Sequence, residues 1–159
     1  MSGPRVIFVV PLFILSLTMP APAAQAPDAA LAHARALLRS TPLIDGHNDL
    51  PWEIRRAEGH PRDVASYDLR TRAPKHTDLE RLKQGQVAAQ FWSIYIDGEM
   101  KDSGYARVQL EQFDIARRMI ARYPDHLALA LTAADIDRDI KRGRLASLLG
   151  MEGGHAIEN

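Results

Sequence analysis

Apolar and polar positions follow two rhythms along this chain. In the first, apolar residues return every three or four positions, as on one side of a helix. Ala29–Ser40 (AALAHARALLRS) has this spacing through Leu31 and Leu38, with Asp28 placed to cap it and Pro42 closing the region. Residues 105–123 show it most clearly. Val108, Phe113, Ala116, Met119, Ile120 and Tyr123 form one stripe, Glu111, Arg117, Arg118 and Arg122 lie off it, and Pro124 marks the end. Thr132 and Asp135 signal a further helix bearing Ile136 and Ile140 and stopping at Gly143. Thr77 to Glu80 has the capping-box spacing, with Thr77 as cap. That predicts a short helix, DLERLKQ, stopped by Gly85 in a left-handed conformation. Pro51 suits the first turn of another short helix over 51–58, and 59–75, with Pro61 and Pro74, predicts a loop.

The second rhythm is a nearly continuous apolar run, the mark of a strand covered on both faces. Residues 86–96 (QVAAQFWSIYI) are the longest, rich in aromatic and β-branched side chains. LIDGHND, from Leu43, is a short strand running into a loop, and LASLLGMEGGHAI starts as a buried strand and breaks at Gly153-Gly154. HLALALT is a short apolar piece of strand length. The order is strand, helix, strand, helix, strand, with crossovers long enough to hold helices. That predicts parallel strands and the α/β class.

Charge and composition narrow the functions. The 159 residues carry 20 basic and 20 acidic side chains, so nothing electrostatic favours nucleic acid or an anionic membrane. There is no cysteine, hence no disulfide, no thiolate nucleophile and no lipoprotein anchor. Any metal falls to His, Asp and Glu. The start reads as a targeting segment: Arg5, an apolar run over 6–17, then Ala-x-Ala sites at Ala21/Ala23 and Ala24/Ala26. A Sec-type signal peptide over 1–26 is the expectation, with secreted or periplasmic localisation and no stable membrane anchor after cleavage. An uncleaved anchor is the competing reading.

Chemistry gathers at two strand ends. Side chains alternate faces along a strand, which puts His47 and Asp49 on one side, at the C-terminal end where parallel α/β folds collect their active groups. An imidazole and a carboxylate converging there begin a site for zinc, iron or manganese. Taken alone, such a pair is more often a surface histidine and a helix-capping aspartate. Glu152 ends another apolar run just before two glycines. A carboxylate there needs a positive partner: a metal, an arginine from elsewhere, or the start of a following helix.

Three segments in register carry a resemblance. LIDGHNDLPW, LKQGQVAAQFWSIYI and ASLLGMEGGHAIE resemble the membrane (renal-type) dipeptidase family, and LEQFDIARRMIARYP resembles its second crossover helix. The resemblance implies a (β/α)8 TIM barrel of the metal-dependent hydrolase type and zinc-dependent hydrolysis of dipeptides. The peptide bond would be attacked by a metal-activated hydroxide at a binuclear site. Carried over by position, His47 and Asp49 match the ligands of the first metal. Glu152 matches the catalytic carboxylate that bridges two Zn2+ ions and positions the hydroxide. Two dications about 3.5–4 Å apart repel by roughly 20 kcal/mol at an effective dielectric of 20, which a shared carboxylate helps offset.

In the family, the second metal's histidines and the substrate-binding groups lie beyond the counterpart of Glu152. Three of eight strands are matched, where a barrel needs about 250 residues. Residues 27–159 are therefore expected to be a truncated N-terminal part of a dipeptidase barrel domain, incomplete and inactive alone. The expected partner is a dipeptide, with a homodimer compatible with the complete enzyme. The alternative is an inactive fragment or a non-catalytic, barrel-derived binding protein. Among other residues, Asp45 is expected in a supporting role, and His155 in a hydrogen bond behind the site rather than on a metal. Trp52, Phe91 and Trp92 are expected in packing, and His33, His60, His76 and His126 in solvent.

Overall fold

The structure, a computed structural model, describes residues 28–100 and 104–158. The expected signal peptide lies outside the described residues. Within them, no helix is long and apolar enough to cross a membrane. Helix α1 (Ala29–Ser40) begins as read, with the Asp28 carboxylate accepting from the amides of Ala30 and Leu31. None of its residues is buried, and Leu31 and Leu37 lie exposed. Strand β1 (Leu43–Asn48) follows, then α2 (Leu50–Arg55), α3 (Leu79–Gln84) and β2 (Val87–Tyr95). Helix α4 (Tyr105–Arg122), β3 (Leu127–Leu129), α5 (Ala133–Lys141), β4 (Leu145–Glu152) and a 3-10 turn (Gly154–Ile157) complete the order.

The strands form one open parallel sheet in the order β1-β2-β4-β3. The α/β class and the parallel pairing are as read from the sequence. The strand count is not: HLALALT contributes a fourth strand, three residues long, on the far side of β4 and out of chain order. Its brevity explains why periodicity left it open, since three residues carry little pattern.

Opposite faces of the sheet are covered differently. Trp92 and its register partner Leu149 turn to a core made with Leu50 and Ile54 of α2 and Ile115, Met119 and Ile120 of α4. Three residues earlier in each strand the other face shows small side chains. Ala89 and Ala146 pair across β2 and β4 and pack with Ala130 and with Ile136 of α5. Trp92 is fully buried, as expected, whereas Phe91 is half-buried. On α4 the inward stripe includes Ile115, Gln109 and Gln112, while Phe113 is only half-buried. Gln109 is tolerated there because its amide donates to the Ile94 carbonyl on β2 at 2.8 Å.

Two local expectations are corrected. The cap of α3 is Asp78, whose carboxylate accepts from the Arg81 amide at 2.8 Å; Thr77 is turned away, toward Asn48. Both residues carry capping oxygens, and the pairing of buried Asp78 with Arg81 selects the second. Gly85 keeps a right-handed conformation at φ −73°, and Gln86 takes the positive φ of 53° instead. The Thr132 signal holds: its hydroxyl accepts from the Asp135 amide while the Asp135 carboxylate accepts from the Thr132 amide.

Candidate metal centre

Because the strands are parallel, the C-terminal ends of β1, β2 and β4 share one rim. His47 stands one residue before the end of β1, and Asp49 follows immediately as the N-cap residue of α2. Glu152 is the last residue of β4. Strand β2 lies between β1 and β4, so the site straddles it.

The convergence of His47 and Asp49 has a different origin from simple alternation. Asp45 pairs with Gln90 and Asn48 with Trp92, so three steps along β1 match two along β2. One extra residue is accommodated, as in a β-bulge, which re-aims the chain before α2 begins. Asp49 is already outside the strand.

The geometry bears on the alternatives left open by the sequence. Asp49 occupies a helix N-cap position but makes no side-chain capping hydrogen bond. Its Oδ1 lies 3.2 Å from His47 Nε2. Glu152 Oε2 lies 3.6 Å from the same nitrogen and accepts a hydrogen bond from the Ser93 hydroxyl of β2. One ligand atom from each of the three residues falls within 4.8 Å of the other two. Two donors about 2.1 Å from a tetrahedral centre sit about 3.4 Å apart, so the 3.2 and 3.6 Å spacings suit a shared ion. Two carboxylates and one imidazole are the donor set for zinc or a similar divalent metal. Side-chain exposure of 56% for His47, 50% for Asp49 and 43% for Glu152 leaves the group open to solvent and to a ligand.

Supporting groups fall into two kinds. Asp45 behaves as expected: its carboxylate accepts from the His47 amide at 3.2 Å. The His155 ring packs edge-on against Tyr105 at 5.2 Å between centroids and lies against Gly153, the residue after Glu152. Trp52 packs edge-on against Tyr95, the register partner of Glu152, at 4.9 Å and so borders the rim. His33, His60, His76 and His126 are exposed.

Sequence reasoning missed Ser93 and Gln90. A signal existed: they are the polar positions inside the apolar run of β2, and both are buried. A polar side chain in a strand core needs a partner, and here those partners lie in or beside the ligand group.

Comparison with known proteins gives the family and the fold. The family model described as membrane dipeptidase (peptidase family M19) matches residues 31–159. The chain is 43% identical over 142 residues to the dipeptidase verJ of Clonostachys rogersoniana, covering 83% of this chain and 36% of that protein. It is 39% identical over 135 residues to the dipeptidase ataJ of Aspergillus terreus, covering 80% of this chain and 32% of that protein. It thus spans about a third of the length of these relatives. Among solved structures, the fold resembles the probable dipeptidase PvdM from Pseudomonas aeruginosa (TM-score 0.65, 18% identity, 84% of this chain and 33% of that one). It also resembles a metallo peptidase from Rhodobacter sphaeroides liganded with a phosphinate mimic of the dipeptide L-Ala-D-Ala (TM-score 0.59, 22% identity, 72% of this chain and 39% of that one). With the family model matching residues 31–159 and curated dipeptidases 43% and 39% identical to it, the chain belongs to the membrane dipeptidase family, peptidase family M19.

Proposed function

We propose that this chain supplies the first-metal half of a zinc-dependent dipeptidase site, hydrolysing the peptide bond of dipeptides. The observation that carries the reading is the convergence of His47, Asp49 and Glu152 at one strand rim, with Asp49 diverted from capping α2. His47 and Asp49 would hold one zinc ion, and Glu152 would offer its second oxygen to a neighbouring one. When bound, such a metal pair supplies Lewis acidity: it activates water at neutral pH and polarises the scissile carbonyl.

The chain's own residues hold that chemistry in place. His47 and Asp49 converge because the bulge in β1 delivers them to the rim together. Ser93 fixes one oxygen of Glu152 on the side facing His47. Two carboxylates in one group repel, so the arrangement favours a cationic occupant. Trp52 and Tyr95 give the rim an apolar border against which a dipeptide side chain packs. The remaining ligands of the second metal and the substrate-binding groups belong to the segment of the family that follows Glu152. On this reading the open sheet is the first part of a (β/α)8 barrel, and the protein is secreted or periplasmic.

The test is hydrolysis of a dipeptide panel including L-Ala-D-Ala by the full-length enzyme that carries this segment, with and without chelator, and with zinc restored. Zinc-dependent hydrolysis that falls at least a hundredfold in Glu152→Gln supports the reading. A second reading is a non-catalytic, barrel-derived binding protein that keeps the metal centre. Stoichiometric zinc on His47, Asp49 and Glu152 without hydrolysis would select it. Hydrolysis indifferent to chelation would remove the metal from the account.

A further inference from the structure

Between the two proposed ligands His47 and Asp49 stands Asn48, whose side chain is half-buried and bonded to Leu50, Thr77 and Gln90. Its Oδ1 accepts from the Leu50 amide at 3.0 Å, closing the turn that carries Asp49. Its Nδ2 donates to Thr77 Oγ1 at 3.1 Å and lies 3.5 Å from Gln90 Oε1. Gln90 is fully buried on β2, and its own amide nitrogen donates to the carbonyls of Asp45, at 3.3 Å, and Phe91, at 3.1 Å. Three segments therefore meet on one planar amide: the exit of β1, the middle of β2 and the residue ahead of α3's cap.

We infer that Asn48, tied to Gln90 and Thr77, is the positioning residue of the metal centre. The proposal rests on the reading of His47 and Asp49 as ligands of one ion. The physical reason is the bulge. An extra residue between Asp45 and Asn48 interrupts the β1–β2 ladder just where the ligands leave it. Without replacement bonds, that stretch would sample several conformations, and His47 and Asp49 would diverge. Gln90 adds a side-chain hydrogen bond to the Asp45 carbonyl at the edge of the bulge, and Asn48 clamps the next turn. An amide is required, because it offers a donor and an acceptor in one plane: aspartate lacks the donor and leucine lacks both. The network sits in a poorly solvated region, where a broken hydrogen bond leaves a costly unpaired group. Asn48 touches no reacting atom in this scheme. It sets the His47–Asp49 spacing and so the affinity for metal.

The test measures zinc affinity of the purified protein by competition with a chromophoric chelator, and the visible spectrum of the cobalt-substituted form, alongside the melting temperature without metal. Asn48→Ala should weaken zinc binding by about 10- to 100-fold, the usual effect of removing a ligand-orienting group, and alter the cobalt spectrum. Thr77→Val should weaken it in the same direction, by a smaller factor. A folded Asn48→Ala that binds zinc as the parent does, with only its melting temperature lowered, overturns the proposal, since that is what a purely structural residue would show. Should Asn48→Ala fail to fold, Thr77→Val decides in the same way: a loss of affinity supports the proposal and unchanged affinity overturns it. His47→Ala separates the two levels. If it keeps the parent's affinity, the metal centre and the proposal fall together. If it loses zinc while Asn48→Ala and Thr77→Val do not, only the positioning role falls.

Discussion

Asp49 stands at a helix start yet turns its carboxylate to a histidine, and Glu152 ends a strand yet turns to that same histidine. Residue types alone did not decide between capping and ligation, because both uses put an acid at the end of an element. The approach of Glu152 to His47 across β2 is a distance that no local pattern encodes. Gly153 was legible, since a sharp turn after Glu152 calls for a residue free to adopt positive φ. It sits at φ +91°, and a Cβ there would collide with the His155 ring. Gly153→Ala is expected to cost about 1–3 kcal/mol and to displace Glu152. Thermal unfolding combined with zinc titration checks both effects, and a variant with unchanged stability and zinc affinity would remove the glycine from the site's support. Ser93→Ala, which frees one oxygen of Glu152, should lower zinc affinity roughly tenfold while leaving the fold intact. Circular dichroism and chelator competition test this pair of outcomes.

At the scale of elements, the helices were readable where caps and stripes agree, as at Thr132 and along α4. They were misread where a tertiary partner chose between two equivalent caps, as at Thr77 and Asp78. The junction of α5 and β4 shows such a partner's effect. Asp139 is fully buried between Arg138 and Arg144, at 2.9 and 2.8 Å. The Arg138 hydrogen bonds outweigh burial, and with help from Arg144 they hold its carboxyl below the ordinary value of 3.8. A carboxyl lowered in the folded state stabilises the fold above its unfolded pKa, and that contribution fades as pH falls through the folded value. Asp139→Asn should therefore cost about 2–4 kcal/mol at neutral pH, with the gap to the parent constant above pH ~5 and closing as pH drops below ~4. Denaturant melts across pH 2–7 measure it; a gap that widens toward acid would refute the assignment.

For the whole molecule, the parallel α/β sheet was legible because continuous apolar runs alternate with amphipathic helices. The strand order was not, since a three-residue strand placed beyond β4 leaves no periodic trace. The open sheet has a physical consequence. Among the described residues, strand β1 pairs on one side only, and Leu43 and Ile44 on it are 39% and 48% exposed. A sheet edge of this kind recruits other edges. The 159-residue polypeptide by itself is expected to self-associate at micromolar concentration, and Ile44→Lys to reduce this. Light scattering with size-exclusion chromatography is the check, and a monodisperse monomer with a sharp cooperative melt would count against it.

The most direct measurement of the central claim is X-ray absorption at the zinc edge on protein loaded with one equivalent of metal. The account predicts a shell of nitrogen and oxygen donors at about 2.0–2.1 Å with one imidazole and no sulfur. That shell should lose its imidazole signature in His47→Ala, and the metal should be lost in Glu152→Ala. Failure to hold a stoichiometric ion, or an unchanged spectrum in both variants, would contradict it.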